Sequence, residues 1–517
     1  MEKKVIVVGA GLSGLAVLKE LLEAGLDVTC YEMNSDIGGV FSDMASYDSV
    51  MLTVSNHFMA YSDYMPYEEP TRFWTRKEYK DYLDRYAEHF DLRKHIRFGY
   101  KLLQVEDPEG SCTLHFVSND GETITEQCDN AVICSGQFQE PNIPMLPGLD
   151  TFDGEILHSS TYTNVEQCQH LKDKNILFFG LGESAADVVT EISAIAKHSV
   201  LSIRRPHVFS DRLPGGVPID VIQSRFWHSL PAPIKSRAVR NTWQRVANNN
   251  PEGSARHHMG THMVGSLDEP GSVVTKTERI FEAVSRGMEL DVGGLKSING
   301  KTVTFNSGRE EEFDAIVLCT GFKLSFPFME TQYQFKDMRD LFLQVYHPQL
   351  KEKVAFIGFA RPQQGGVPLM AEMAARYHAL ILTGQKTLPQ NLPELAQADK
   401  MMWQKEFYET PHVSGLVNGL RYNEKLARLI GCEPPKPSFF NLKQFFIYWN
   451  HHIWPSQYRL VGPGARKEAQ EQWMKSLNGA KKEPTTLKER ARFVLGYLSL
   501  RIRSALTHDT HAKWRPF

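Results

Sequence analysis

The chain has 517 residues, 42% hydrophobic and 23% charged, with 58 Lys and Arg against 61 Asp and Glu. Those proportions exclude disordered and collagen-like classes and leave roughly three domains' worth of chain at about 150 residues each. The net charge of −3 argues against a dedicated nucleic-acid binder, and seven scattered cysteines with no C-x-x-C argue against disulfide scaffolds, zinc ribbons and thioredoxin-type pairs.

The opening MEKKVIVVGAGLSGLAVL has the outline of a signal peptide, but the glycine spacing inside it gives a better account, so it reads as mature protein. No apolar run approaches the roughly 20 residues that span a bilayer. Val5–Val8 is a short β-branched run that predicts a buried parallel strand. Gly9, Gly11 and Gly14 follow in G-x-G-x-x-G spacing, then a helical pattern over Leu15–Glu23 and a second strand, Asp27–Tyr31, ending in Glu32. Together these make a dinucleotide fingerprint. One glycine permits the tight turn, the next lets a pyrophosphate approach the backbone, the third lets helix and strand pack, and the acid accepts hydrogen bonds from a ribose. The helix N-terminus supplies N–H groups and positive potential to the phosphates.

The pattern recurs. Asn175–Phe179 predicts a strand, GLGESAAD follows with Gly180, Gly182 and Ser184, a helix runs through Asp187–Ile195, and the next strand, Ser199–Ile203, ends in Arg204 and Arg205. Arginine in place of an acid suits a 2′-phosphate. The expectation is therefore FAD on the first turn and NADPH on the second, with hydride passing from nicotinamide to flavin.

Further motifs resemble one family. DIGGVF (Asp36–Phe41, with Gly39 and Phe41) resembles the second glycine cluster of flavoprotein monooxygenases. Phe152, Gly154, His158 and Tyr162 stand in the spacing F-x-G-x-x-x-H-x-x-x-Y, similar to the fingerprint of class B flavin monooxygenases. Tyr162–Thr163 at its end resembles the flavin-containing monooxygenases, where Baeyer–Villiger members carry Trp with Pro or Asp. LCTGF (Leu318–Phe322), Ile357–Arg376, Gln457–Arg466 and Pro218–Phe226 resemble segments of the animal-type enzymes, so the likeness runs from about residue 4 to about 475.

The resemblance implies an α/β fold with two Rossmann-like domains, the NADPH domain (151–324) inserted in a discontinuous FAD domain (1–150 and 325–450), followed by an extension, 451–517. It implies an NADPH- and O2-dependent enzyme that oxygenates soft nitrogen or sulfur nucleophiles in a small-molecule substrate through a C4a-hydroperoxyflavin. It also implies a flavin-side polar residue. Counting back from Asp63 favours Thr53, with Asn56 the alternative. Two departures stand out: Glu183 where the family usually has Asn, and Thr53 at the asparagine position. The rivals are Baeyer–Villiger oxygenation of carbonyl compounds and an NADPH-consuming flavin reductase or oxidase. A disulfide reductase would need a redox cysteine pair near the flavin, and none has usable spacing.

Three segments carry further expectations. Residues 210–275, rich in Gly, Pro, Asn and His, predict long loops with short helices, read either as a lid over the cofactor cleft or as packing. His257, His258 and His262 read as a solvated loop and not a metal site, because no H-E-x-x-H glutamate accompanies them. The tail 481–517 holds nine Lys and Arg against three acids around the apolar Phe493–Leu500. It reads as a basic amphipathic helix, either lying in a membrane interface or packed on the body, of a cytoplasmic protein that is otherwise soluble.

Overall fold

The computed structural model describes residues 3–42, 46–230, 232–266, 274–407, 415–438, 440, 442–450 and 452–471. The basic tail 481–517 lies outside these residues.

Val5, Ile6 and Val7 are fully buried, which is what a β-branched run needs to sit in the middle of a parallel sheet. Strand Lys4–Val8 lies between Asn130–Ile133 and Asp27–Glu32, and the five-stranded sheet is completed by Val354–Phe356 on one edge and Ile96–Phe98 on the other, all parallel. The second sheet is also parallel: Glu289–Val292, His198–Ile203, Asn175–Phe179, Ala315–Leu318 and Glu155–His158. The first sheet thus draws strands from both sides of the second in sequence, an insertion of one doubly wound unit into another. The two crossing segments pair with each other, Phe322 against Pro141 and Lys323 against Glu140, and the Thr320 hydroxyl donates to the carbonyl of Asn142 at 2.5 Å.

Helix Leu12–Glu23 covers the first sheet and is itself covered by Val367–Leu382, whose residues from Pro368 to Leu382 are all buried. Where these helices meet, a buried charge cluster ties in the chain beyond residue 451. Arg459, with no exposed surface, bonds Glu20 at 2.5 Å, Glu372 at 2.7 Å and Asp63 at 3.0 Å. Lys19 adds ion pairs to Glu20, Glu23 and Asp63, and Arg466 pairs with Glu23. The stretch from His452 to Arg459 therefore packs as part of the first unit's core, and Arg466 beyond it pins the surface to Glu23.

Residues 210–275 differ from the loops expected. Ala232–Asn249 is an 18-residue helix, and Ala255–Ser266 packs back along it. Gly260 is where the two backbones touch: a Cβ there would lie 2.5 Å from the Ala247 amide nitrogen. His257 bonds the Ala247 carbonyl across the helical pair and His262 bonds the His207 carbonyl outside it, so neither lies in a solvated loop. Among the described residues no helix is long and apolar enough to cross a membrane.

Candidate functional site

Parallel sheets bind ligands at the carboxyl ends of their strands. At that edge of the first sheet Gly9 adopts φ +98, and a Cβ would stand 2.6 Å from the Cys134 carbonyl oxygen. A Cβ at Gly14 would run into the carbonyl of Gly9 itself. At Gly11, by contrast, the nearest atom to a Cβ is the Gly39 Cα at 3.6 Å, so that position borders open space. The amide of Gly38 donates to Ala10 O at 3.0 Å, which sets the second glycine cluster against the first turn. Phe41 meets Tyr79 edge-on at 4.7 Å.

Glu32 is 4% exposed. One oxygen accepts from the Ala10 amide at 2.7 Å and the other from the Asn34 amide at 2.9 Å. The carboxylate is thus fixed beside the turn, with lone pairs left for a ribose. This cradle fits a dinucleotide: a tight turn in which Gly9 and Gly14 cannot carry side chains and Gly11 leaves open space, a helix N-terminus behind it, and a pinned acid.

The second turn repeats the geometry. Gly180 has φ +93, and a Cβ would lie 2.7 Å from the Cys319 carbonyl oxygen, while a Cβ at Gly182 would meet nothing within 4 Å. Arg204 and Arg205 are both exposed at the end of their strand, and Ser184 is exposed on the first turn of helix Glu183–Ser193. Glu183 turns away from the phosphate position. Both its oxygens accept from the Lys276 amide, at 3.1 and 3.2 Å. Burial pushes its carboxyl up, opposed by Lys276 and Arg212. The acid that sets this turn apart thus anchors the end of the 210–275 insertion instead of facing the nucleotide, and the cradle fits a second dinucleotide.

Between the cradles runs the stretch from Tyr47 to Met59. The Tyr47 hydroxyl donates to Asp187 at 2.9 Å, and the Asp48 amide to the Thr163 carbonyl at 2.9 Å. Tyr162, from the F-x-G-x-x-x-H-x-x-x-Y motif, donates its hydroxyl to Glu191 on the same helix at 2.5 Å, so its polar end positions the nucleotide helix.

Asn56 is fully buried and its amide is committed. The oxygen accepts from the backbone of His57 and Arg72, and the nitrogen donates to Pro70 O at 3.1 Å. His57, stacked 4.6 Å from Trp454, is held down to about 4 by burial. Thr53 is only half-buried on the same loop.

Sequence reasoning did not single out Asp220, which is 4% exposed. Its Oδ2 accepts from the Ser55 amide at 2.6 Å, two residues from Thr53. Burial raises its carboxyl, with the Ser55 amide and Lys276 opposing. Five residues on, Arg225 bonds Glu424 of the first unit at 2.7 Å. The insertion is therefore tied to the first unit by two buried polar contacts, one at the Thr53 loop and one at helix Gly419–Ile430. The motif Pro218–Phe226 marked the segment, but no local signal marked its partners.

Comparison with known proteins agrees with this geometry. A family model described as flavin-binding monooxygenase-like matches residues 2–499. The chain is 39% identical to a 4-hydroxybenzoate brominase (decarboxylating) of Marinomonas mediterranea, over 91% of this chain and 92% of that one. It is 30% identical to N-oxide-forming dimethylaniline monooxygenase 4 of Mus musculus, over 94% and 91% of the two chains. Among solved structures, S-allyl-L-cysteine S-oxygenase from Allium sativum superposes with a TM-score of 0.59 at 19% identity, covering 96% of this chain and 99% of that one, which is a likeness of fold.

Proposed function

The chain belongs to the flavin-binding monooxygenase-like family, and from that membership we propose that it holds FAD on the first cradle, takes NADPH on the second, and transfers one atom of O2 to a small, soft nucleophile. The observation that carries the reading is the pairing of two complete cradles with opposite end-of-strand chemistry, a pinned Glu32 on one and Arg204 with Arg205 on the other. Bound FAD would supply the redox chemistry, accepting hydride and reducing O2.

The protein's part is binding, orientation and exclusion of water. Glu32 accepts hydrogen bonds from the adenosine ribose, the N-terminus of helix Leu12–Glu23 faces the pyrophosphate, and the two arginines take the 2′-phosphate of NADPH. Thr53 donates one hydrogen bond on the flavin side without bringing positive charge. That favours a neutral oxygen donor, which soft nucleophiles attack, over the anion that ketone oxidation needs. The insertion, latched through Asp220 and Arg225, keeps bulk water from the Thr53 loop.

Amine nitrogen and sulfur are such nucleophiles. Bromide is another, and the identity of 39% and 38% to two 4-hydroxybenzoate brominases favours it as a second reading, in which oxidised bromide would attack an electron-rich phenol. The test is product analysis with NADPH and O2 over thioethers, tertiary amines, cyclic ketones, and bromide with 4-hydroxybenzoate. Sulfoxide or N-oxide supports the first reading and a bromophenol the second. Ester or lactone as the dominant product overturns both. Thr53→Val is expected to raise the hydrogen peroxide released per NADPH while leaving NADPH-driven flavin reduction nearly unchanged.

A further inference from the structure

The seven cysteines are dispersed in sequence, yet two of them meet. Cys112 and Cys128 stand at facing ends of strands Thr113–Ser118 and Thr123–Gln127, just beyond the pair Thr113 and Gln127, with their sulfurs 3.7 Å apart. The Cys128 amide donates to the Cys112 carbonyl at 3.1 Å, and the Cys112 amide donates to Asp107 O at 2.9 Å. These bonds hold both backbones in place. Cys112 adopts φ 36, a left-handed conformation that a non-glycine residue keeps only when its surroundings impose it.

The pair is not part of the flavin chemistry. Cys128 lies before strand Asn130–Ile133, whereas the first cradle meets the chain after that strand, at Cys134. Six residues of extended chain put roughly 20 Å between them. The contact therefore does not supply the redox pair that a flavin disulfide reductase would need.

We propose that Cys112 and Cys128 form a reversible dithiol site, oxidised to a disulfide by hydrogen peroxide. Sulfurs 3.7 Å apart must close to about 2.05 Å, a movement within reach of small side-chain rotations because the backbones are already paired. The asymmetry of the pair gives the order of events. The Cys128 thiol donating toward it holds Cys112 below its usual value against burial, with Lys353 helping, while the same contact and burial push Cys128 up. Cys112, with Lys353 acting on it and an exposed turn just before it in the chain, serves as the nucleophile. It is itself buried, but it follows the exposed turn Glu109, Gly110 and Ser111, and peroxide is little larger than water.

The Cys112 thiolate attacks one peroxide oxygen. An S–O bond forms, the O–O bond breaks, and the departing hydroxide takes the Cys128 proton to leave as water. The Cys128 thiolate then attacks the Cys112 sulfur. The S–S bond forms, the S–O bond breaks, and the hydroxide takes a proton from solvent, replacing the one Cys112 gave up on ionising. Overall two thiols are oxidised by two electrons and one peroxide is reduced to two waters. A flavoprotein that reduces O2 is a local source of this oxidant whenever oxygen transfer fails. The closed loop would tie the hairpin that carries Phe116, whose ring stacks 4.2 Å from Tyr31, next to the ribose acid Glu32.

The test uses the full-length, flavin-loaded protein without NADPH, so it does not depend on the substrate reading. After hydrogen peroxide treatment and unfolding, the expected result is two fewer titratable thiols than in the untreated protein. A peptide pair joined through Cys112 and Cys128, reopened by a phosphine, should accompany the loss. Cys112→Ser and Cys128→Ser should each abolish the linked pair, and the oxidised native protein should melt higher than the reduced one. Full retention of all thiols, a disulfide between other cysteines, or sulfinic acid at either position without the linked peptide would overturn the proposal.

Discussion

The two cradles share a backbone and differ in nearly everything attached to it. Both turns carry a glycine at φ above +90 against the carbonyl of a neighbouring strand end, Gly9 on Cys134 and Gly180 on Cys319. Five residues after the first stands Gly14, pressed against Gly9; five after the second stands Ala185, so that helix sits back by at least a methyl group. The first turn's acid is buried and doubly bonded, and the second turn's arginines lie on the surface. Behind the first helix lies the fully buried Arg459 cluster, whereas the charge that braces the second, Arg279 on Asp187 and Glu191, is about one-third exposed. On the proposed reading, the tighter frame takes the cofactor that stays, the flavin, and the more exposed frame the one that leaves, the nicotinamide.

The largest effects should come from attacking the tight cradle. Gly14→Val drives a side chain into the Gly9 carbonyl, and we expect no folded, yellow protein. Gly11→Val is expected to fold, because a Cβ there meets only Gly39 Cα at 3.6 Å, but to purify without flavin, because the new side chain fills the pyrophosphate's approach. Flavin absorbance read beside circular dichroism checks both. Full flavin occupancy in Gly11→Val would mean the pyrophosphate lies elsewhere.

Next in size is the bracing behind each helix. Arg459→Leu leaves Glu20, Asp63 and Glu372 without their shared cation and should cost about 3–5 kcal/mol in denaturant unfolding. Arg279→Leu should cost clearly less, because its partially exposed pair is screened by solvent. Equal losses would remove the contrast between the two units.

The exchangeable cradle should show its chemistry in cofactor choice more than in stability. Arg204→Gln or Arg205→Gln should each lower the preference for NADPH over NADH, read as the ratio of kcat/KM values. One charge-assisted contact of about 1.5–3 kcal/mol amounts to roughly tenfold to hundredfold. Melting temperature should hardly move, since both side chains are exposed. An unchanged ratio would mean that the arginines face away from the nucleotide.

What could be read from sequence follows the range of the interactions. Both cradles were legible because each is a contiguous strand, turn and helix whose glycine spacing is dictated by local contact. Even the end-of-strand residues announced their charge. The Arg459 cluster was not, since it joins residues 20, 63, 372 and 459. Nor was the Asp220–Ser55 latch, nor the meeting of Cys112 with Cys128 across a hairpin. The helical pair after residue 231 was misread because its Gly, Asn and His content resembles loop composition, while Gly260 is there to let two helices touch. Counting back from Asp63 favours Thr53 over Asn56 on spacing alone; the structure adds that the Asn56 amide is committed to backbone partners.

The smallest expected effect concerns the latch between the two regions. Asp220 is buried, Oδ2 accepts from the Ser55 amide, and the charged side chain acting on it is Lys276, from the far end of the insertion. Its carboxyl is raised above the ordinary aspartate value, mainly by burial. A group whose folded pKa is raised holds its proton longer in the folded state. Its contribution to stability is therefore fully present below the unfolded value, near 3.8, and fades as pH rises through the folded value. Asp220→Asn keeps an oxygen for the Ser55 amide and removes the charge. Relative to the wild type, the variant should gain stability as pH rises from about 4 toward neutrality, and the gap should then level off. Urea midpoints measured across that range for both proteins decide it. A gap that is flat with pH would mean that Asp220 is no harder to ionise in the folded chain than in the unfolded one, and that Lys276 fully offsets its burial.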